Sequence, residues 1–179
     1  MPYLITAVVL VGAIGVLNLL LTLGVLRRLR EHSTRLAAGP AGSGPGIIET
    51  GQRPGDFAAT DTDGKPVRRA DLTGSVLVAF FSPDCAACVE ALPQFLVEAA
   101  EFPGGRSQVL TVVGADGPET TEMATRLAEV SRVVVDGAGG RVAGAFQVAA
   151  FPAWCLLDPS GDVRHSGSGW TGLPTLTAA

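Results

Sequence analysis

The chain has 179 residues, of which 47% are hydrophobic and 17% charged, and this excludes an intrinsically disordered tail protein, which would be poor in apolar residues. Its 13 Lys+Arg against 17 Asp+Glu give a formal net charge of −4, which argues against nucleic acid as a main partner, because phosphate binding needs a net-basic surface. Its 3 cysteines are too few for a scaffold held together by disulfides.

A membrane anchor is the first predicted element. Residues 3–26 form a 24-residue run without a charged side chain, which spans about 36 Å as a helix at 1.5 Å per residue. That length crosses a hydrocarbon core of about 30 Å, and a buried core helix seldom stays uncharged for so long. A cleaved signal peptide carries basic residues before its apolar run, but here the arginines follow it. We therefore predict a single-pass anchor with its basic flank in residues 1–30.

A linker and one folded domain follow the anchor. Residues 31–46 end in the uncharged sequence AAGPAGSGPG, whose Gly, Pro and Ser residues interrupt any periodicity and predict a flexible linker. Residues 47–179 are expected to form the folded domain. They hold 9 Lys+Arg and 16 Asp+Glu, a difference of −7, so the domain is more acidic than the whole chain.

Strands and helices alternate along the predicted domain. Apolar runs at residues 75–81 and 108–114 are typical of strands buried on both faces, and a helix is predicted between them at 85–101. This alternation, followed by a hairpin, indicates an α/β sandwich with a mixed central sheet. The other predicted elements are strands at 57–60, 66–68, 133–136, 153–158 and 163–168 and helices at 118–130 and 140–147. The predicted buried stripe of the 85–101 helix is Val89, Leu92, Leu96 and Ala99 or Ala100.

The sequence Cys-Ala-Ala-Cys at residues 85–88 lies between a predicted strand and the start of a helix. A helix N-terminus has free N–H groups and a positive dipole end, which favour an anionic sulfur at Cys85. The spacing lets the two sulfurs close a small disulfide ring, so Cys85 would attack a partner disulfide and Cys88 would resolve the mixed disulfide. Two purely structural cysteines are one alternative, and half of a zinc site, which needs a second ligand pair, is another. The remaining candidate ligands, which form no such pair, are Cys155, His165 and His32.

A proline immediately precedes the predicted strand at 153–158. Proline at the start of a central strand is unusual unless it marks a bulge, an edge or a cis bond. A cis-proline facing the cysteine pair would leave backbone groups free to pair with an extended substrate, so Phe151 and Pro152 are candidate substrate-binding residues. An ordinary trans proline at a strand start is the alternative.

Two stretches carry a resemblance to a known family: PGDFAATDTDGKPVRRADLTGSVLVAFFSPDCAACVEALPQF and FPAWCLLDPSGDV. They resemble the thioredoxin superfamily, most closely the membrane-tethered TlpA-like disulfide reductases and redoxins, and in particular the methylamine-utilisation (MauD-like) branch. The resemblance implies a thioredoxin-like fold and thiol–disulfide exchange, with Cys85 as nucleophile, Cys88 as resolving cysteine and Pro152 as cis-proline. It implies protein thiols or disulfides as partners, a redox-active dithiol in place of any cofactor, and no metal.

The chain departs from the family pattern around the cysteine pair. Asp84 replaces the tryptophan that usually precedes the first cysteine, and its carboxylate opposes a negative charge on Cys85. Ala79 occupies the position where thioredoxins often carry a buried, proton-shuttling carboxylate. Ala91 stands where TlpA-like proteins often carry glutamate. The sequence therefore assigns no proton shuttle.

A thiol peroxidase of the peroxiredoxin type is the nearest alternative function. The Ser82-x-x-Cys85 spacing matches the Ser/Thr-x-x-Cys loop of such enzymes. The proline expected seven residues before that cysteine is Val78, however, and the expected peroxide-activating arginine is Ala149 or Ala150. A non-catalytic maturation or chaperone module is a third alternative, although copper chaperones of this fold use C-x-x-x-C and a distant histidine.

The side of the cell membrane that the domain faces is left open by the sequence. Arginines after a span bias the following segment toward the cytoplasm, whereas the resemblance implies the outer side, because related tethered reductases mostly face outward. The arginines are Arg27, Arg28, Arg30 and Arg35.

Three further residues carry predictions. Cys155 is expected to pack in the core, and His165 is expected to be a solvated strand residue. Trp154 lies on the opposite face of the strand from Cys155, where it either packs near the active site or fills the core. Because the chain ends about ten residues after Gly169, the final helix that is normal in this fold is expected to be shortened or missing.

Overall fold

The structure, a computed structural model, describes residues 46–115, 117–137 and 140–171. The predicted anchor in residues 1–30, the linker up to residue 45 and the segment where a final helix was considered lie outside the described residues. Among the residues that are described, no helix is long and apolar enough to cross a membrane.

Strands and helices alternate through the described residues, with bounds within two residues of those predicted. The strands are β1 (Ala58–Thr60), β2 (Pro66–Arg68), β3 (Val76–Phe81), β4 (Val109–Val113), β5 (Arg132–Val135), β6 (Ala153–Leu157) and β7 (Val163–Ser168). The α-helices are α1 (Ala86–Ala100), α2 (Pro118–Ala128) and α3 (Arg141–Ala145), and 3-10 turns cover Arg69–Asp71 and Gly105–Gln108.

A mixed sheet in the order β5-β4-β3-β6-β7 organises the domain. Strand β3 pairs in parallel with β4 and antiparallel with β6, and β4 pairs in parallel with β5. Every residue of β3 is buried, as expected of an apolar run with neighbours on both edges and layers on both faces. The predicted α/β architecture with a mixed central sheet is therefore confirmed.

Two apolar layers cover the two faces of the sheet. Helices α1 and α2 pack on the face that carries Leu77, Ala79 and Phe81 of β3. Helix α3 and the β1–β2 hairpin pack on the opposite face, which carries Val78 and Phe80. Because alternate side chains of a strand point to opposite faces, a single apolar strand supplies both layers. The end of β3 consequently lies between two rigid layers, where it leads directly into the Cys85–Cys88 segment.

The predicted buried stripe of α1 is partly wrong. Leu92 and Ala99 are buried as expected, but Val89 is 51% exposed and the buried face includes Cys88 and Phe95 instead. Cys88 turns toward the sheet because its sulfur accepts a hydrogen bond from the backbone N–H of Ser82 at the end of β3. The observed buried face is turned by about a sixth of a turn relative to the stripe read from residue spacing alone.

The β1–β2 hairpin is attached to the sheet by ionic contacts at the ends where the parallel strands begin, opposite to the cysteine pair. Arg106 donates to Asp63 at 2.8 Å and to the carbonyls of Ala128 and Ser131. The buried carboxylate of Asp61 accepts two backbone N–H groups of the hairpin turn. Arg106 and Asp61 therefore stabilise the position and the turn of the hairpin.

Candidate active site

Cys85 occupies the N-cap of α1, immediately after the end of β3. Its backbone is extended, with φ −103° and ψ 111°, and its carbonyl accepts the N–H groups of Cys88 at 3.0 Å and Val89 at 3.2 Å. Its own N–H donates to the carbonyl of Ser82. These bonds hold the Cys85 sulfur at the positive end of the helix, where an anion is stabilised.

The two cysteines differ sharply in solvent access. Cys85 is half-buried, whereas Cys88 is fully buried, and both thiols are free. Burial raises the pKa of the Cys88 thiol; the Ser82 N–H, 3.4 Å from its sulfur, acts against this rise, and a hydrogen bond with Cys85 adds to it. The geometry gives an outer sulfur that is partly open to solvent and an inner sulfur that is buried.

The step from Phe151 to Pro152 lies against Cys85. The peptide bond between them is cis, as predicted, and the Cys85 thiol donates to the carbonyl of Phe151 at 3.4 Å. Pro152 is buried, and its own carbonyl accepts the N–H of Gly169 at 2.7 Å. Cys85 and Phe151 are 66 positions apart in the sequence, and the pairing of β3 with β6 brings them together. The structure thus places Cys85, Cys88, Phe151 and Pro152 in one site.

Gly114, which the sequence analysis did not single out, supports this arrangement. It follows β4, donates its N–H to the carbonyl of Phe81 at 2.9 Å, and lies under the ring of Phe151. A Cβ atom at this position would lie 3.0 Å from the Phe151 Cζ atom. A glycine directly after a strand that neighbours the active-site strand is the sequence signal that could have identified it.

We expect Gly114→Ala to lower kcat/KM for disulfide exchange roughly three- to tenfold, because the added methyl group moves Phe151 by a few tenths of an ångström. A full misplacement of about 1 Å at a reacting group costs about 100-fold. The added methyl group displaces the Phe151 ring, and the carbonyl of the same residue is the hydrogen-bond acceptor for Cys85. Gly144→Ala in α3 is the matched control, since its added Cβ has no atom within 4 Å apart from its chain neighbours and the backbone of its own helix. Equal rates for the two variants would show that the Phe151 position is irrelevant to turnover.

An aromatic cluster packs beneath the cysteine pair. The ring of Phe95 lies 4.9 Å from that of Phe81 and 4.9 Å from that of Trp170, and Trp154 lies 6.1 Å from Trp170. Trp154 therefore belongs to the layer that also buries Cys88. Trp170 was not identified from the sequence, because a tryptophan beyond the last predicted strand has no periodic pattern that assigns it to a face.

Cys155 and His165 lie where the sequence predicted. Cys155 is fully buried on the face of the sheet opposite to Cys88, and burial raises the pKa of its thiol. His165 is exposed on β7. Neither side chain belongs to the site formed by the cysteine pair.

The position expected for a proton-shuttling carboxylate holds Ala79, which is fully buried in the same cluster as Cys88. Among the residues that the structure describes, Asp61 is the one buried acid, and it lies in the β1–β2 hairpin. Within the same residues, no group of three or more His, Cys, Asp or Glu side chains is arranged to hold a metal ion.

Comparisons with known proteins agree with this geometry. The family model described as "AhpC/TSA family" matches residues 50–166, while a search of curated proteins gives no match. The thioredoxin domain of a thiol-disulfide oxidoreductase from Bacteroides vulgatus is similar, with 19% identity, a TM-score of 0.54, and coverage of 68% of this chain and 90% of that one.

Two further solved structures are similar over most of their length. The thio-disulfide isomerase from Thermus thermophilus has 23% identity and a TM-score of 0.54, covering 70% of this chain and 89% of that one. The MTB dsbF structure, in its mixed oxidised and reduced forms, has 26% identity and a TM-score of 0.53, covering 63% of this chain and 84% of that one. These likenesses confirm the thioredoxin-like fold.

Proposed function

The chain belongs to the AhpC/TSA family and is an oxidoreductase, and we propose that it exchanges electrons with protein disulfides through Cys85 and Cys88. One observation carries the proposal: a half-buried Cys85 at a helix N-cap lies against a cis X-Pro carbonyl, with a fully buried Cys88 behind it. The solved neighbours described as a thiol-disulfide oxidoreductase and a thio-disulfide isomerase support the same chemistry.

The first step uses the accessible sulfur. The Cys85 thiolate attacks one sulfur of the substrate disulfide, a Cys85–substrate S–S bond forms, and the substrate S–S bond breaks. The released substrate thiolate takes a proton from water. The Phe151 carbonyl, now relieved of the Cys85 thiol, is free to accept a backbone N–H from an extended substrate segment, which is the role we propose for Phe151 and Pro152.

The second step uses the buried sulfur. Burial raises the pKa of Cys88, so it stays protonated while Cys85 carries the reaction forward. The Ser82 N–H stabilises the negative charge that develops when Cys88 loses its proton. Cys88 then attacks the Cys85 sulfur, the Cys85–Cys88 disulfide forms, and the second substrate thiol leaves. Two electrons pass from the dithiol to the substrate, and an external protein dithiol must reduce the new disulfide.

The proposal includes attachment to the cell membrane through residues 3–26. Its support is the sequence alone, namely 24 residues without a charged side chain followed by arginines. A C-terminal topology reporter on the full chain distinguishes the cytoplasmic side, favoured by the arginines, from the outer side, favoured by the TlpA-like and MauD-like resemblance. A soluble fraction containing the intact chain would contradict the anchor.

We expect Cys88→Ser to accumulate a mixed disulfide between Cys85 and a protein substrate such as insulin, because the resolving sulfur is missing while the attacking one remains. Non-reducing electrophoresis and mass spectrometry measure the adduct. The Cys85→Ser/Cys88→Ser double variant is the control and should give none. A Cys88→Ser variant that forms no adduct, with disulfide reduction left intact in Cys85→Ser, would overturn the proposal.

The same variants separate the alternative functions. A thiol peroxidase would consume hydrogen peroxide and oxidise Cys85 to sulfenic acid, yet the positions expected to hold its proline and arginine are Val78, a buried β3 residue, and Ala149 or Ala150. A binding or chaperone module would keep its function in the double cysteine variant. Rapid consumption of hydrogen peroxide without disulfide reduction would show that the protein is a thiol peroxidase and that the proposed function is wrong.

A further inference from the structure

A cleft of about 190 Å³ opens beside the cysteine pair, between the start of α1 and helix α2. Pro83, two residues before Cys85, forms one wall, and the first turns of α1 form another. The cleft therefore lies within reach of a polypeptide whose sulfur is bonded to Cys85. The residues that line it are Pro83, Val89, Leu92, Glu119, Glu122, Met123 and Arg126.

The floor of the cleft is apolar. Leu92 and Met123 are buried, but Val89 leaves 51% of its surface exposed, although it sits in the first turn of the active-site helix. Large exposed apolar side chains are few in the described residues: Val89, Val97 and Val135. Of these, Val89 alone adjoins the cysteine pair and lines the cleft. An apolar side chain of a partner would remove this surface from water.

The rim of the cleft is acidic. Glu119 and Glu122, exposed in the first turns of α2, line the cleft together with one cation, Arg126. Asp84 and Glu90 do not line it, but they are exposed next to the cysteine pair in the sequence. None of the four carboxylates forms an ion pair within the described residues. Two glutamates against one arginine leave the cleft lining with a net charge of −1, and the nearby Asp84 and Glu90 add to the negative charge that a segment approaching Cys85 meets.

From these observations we infer that the cleft binds a cationic segment next to the disulfide of the substrate protein. This inference rests on the proposed thiol–disulfide exchange and names its substrate class. An apolar side chain of the segment occupies the floor at Val89, and a neighbouring Lys or Arg meets Glu119 and Glu122. Opposite charges speed encounter and fix the register of a complex, while like charges disfavour it.

The test compares disulfide peptides that differ only in the residues flanking the cysteine. The full chain, held in neutral detergent, is assayed with peptides that carry Lys-Leu, Ser-Leu or Glu-Leu beside the disulfide. We expect kcat/KM for the Lys peptide to exceed that for the Glu peptide at least about tenfold at low ionic strength. The ratio should fall toward one at about 1 M salt, where the screening length shrinks to about 3 Å.

A matched pair of variants assigns the preference to the cleft. Glu119→Gln/Glu122→Gln should reduce the Lys-to-Glu ratio several-fold, whereas Glu101→Gln/Glu129→Gln, which removes the same charge from the far ends of α1 and α2, should leave it unchanged. Glu101 and Glu129 are exposed C-cap residues of the two helices. An equal loss in both variants would attribute the preference to net charge and refute the cleft assignment.

A small neutral disulfide, hydroxyethyl disulfide, separates failure of this inference from failure of the proposed function. If the chain reduces it but treats all three peptides alike, the cationic substrate class is wrong and thiol–disulfide exchange stands. If it reduces neither the neutral disulfide nor any peptide, the proposed function itself is wrong. A Leu→Ser change in the Lys peptide should lower kcat/KM further, since it removes the side chain that the apolar floor receives.

Discussion

Cys85→Ser is expected to lower kcat/KM for protein disulfide reduction by roughly three orders of magnitude or more, because it removes the nucleophile itself. A serine hydroxyl cannot form the mixed disulfide with a substrate. The side chain is half-buried and its thiol donates to the Phe151 carbonyl, a hydrogen bond that a serine hydroxyl can also form, so the fold loses little when sulfur is replaced by oxygen. Reduction of insulin, followed alongside thermal unfolding, measures both properties.

Cys155→Ala is the control for this prediction. Its thiol is fully buried on the opposite face of the sheet, so the variant should keep its rate at temperatures where it remains folded. If Cys85→Ser retained more than about a tenth of the wild-type rate, a different nucleophile would have to exist. If Cys155→Ala lost activity while still folded, the third thiol would take part in exchange.

The elements of the domain could be predicted because their patterns are local. Val76–Phe81 is a continuous apolar run between turn residues, and this pattern is typical of a strand with neighbours on both sides. The Cys-Ala-Ala-Cys segment and the Phe151-Pro152 step could be related to each other because two predicted strands had to be adjacent. These local signals were enough to predict four residues that the fold brings together.

Features that depend on side-chain direction could not be predicted in the same way. Val89 was assigned to the buried stripe of α1 because its spacing from Leu92 and Leu96 fits a helical period. The orientation of the helix is instead set by Cys88, whose sulfur faces the end of β3, and this leaves Val89 at the surface. Likewise, the contact between Gly114 and Phe151 joins two loops that lie far apart in sequence and has no local pattern.

The apolar side chain of Ala79 lies in the same buried layer as Cys88 and contributes no charge near its thiol. In the layer that buries Cys88, the surrounding side chains are apolar, which explains why burial is the main cause of the raised pKa of this thiol. In the proposed exchange, we therefore expect Cys88 to lose its proton only when the mixed disulfide has formed next to it. The Ser82 N–H is the polar group that the structure provides for the resulting charge.

Phe95→Ala is expected to destabilise the domain by about 3–5 kcal/mol, the usual cost of deleting a buried phenylalanine ring. Phe95 is fully buried and its ring contacts both Phe81 and Trp170, so the deletion leaves a cavity between α1 and the sheet. Urea unfolding of the full chain in neutral detergent, followed by near-ultraviolet circular dichroism, measures the change.

Val97→Ala on the same helix is the matched control. Val97 is 61% exposed, and a substitution at such a surface position changes stability by about 0.5 kcal/mol or less. Phe95→Leu should fall between the two, because leucine refills part of the space. Since Phe95 and Cys88 lie on the same buried face of α1, the Phe95→Ala cavity should also make the Cys88 thiol react faster with iodoacetamide under native conditions. An unchanged free energy of unfolding together with an unreactive Cys88 would mean that the aromatic cluster does not hold α1 against the sheet.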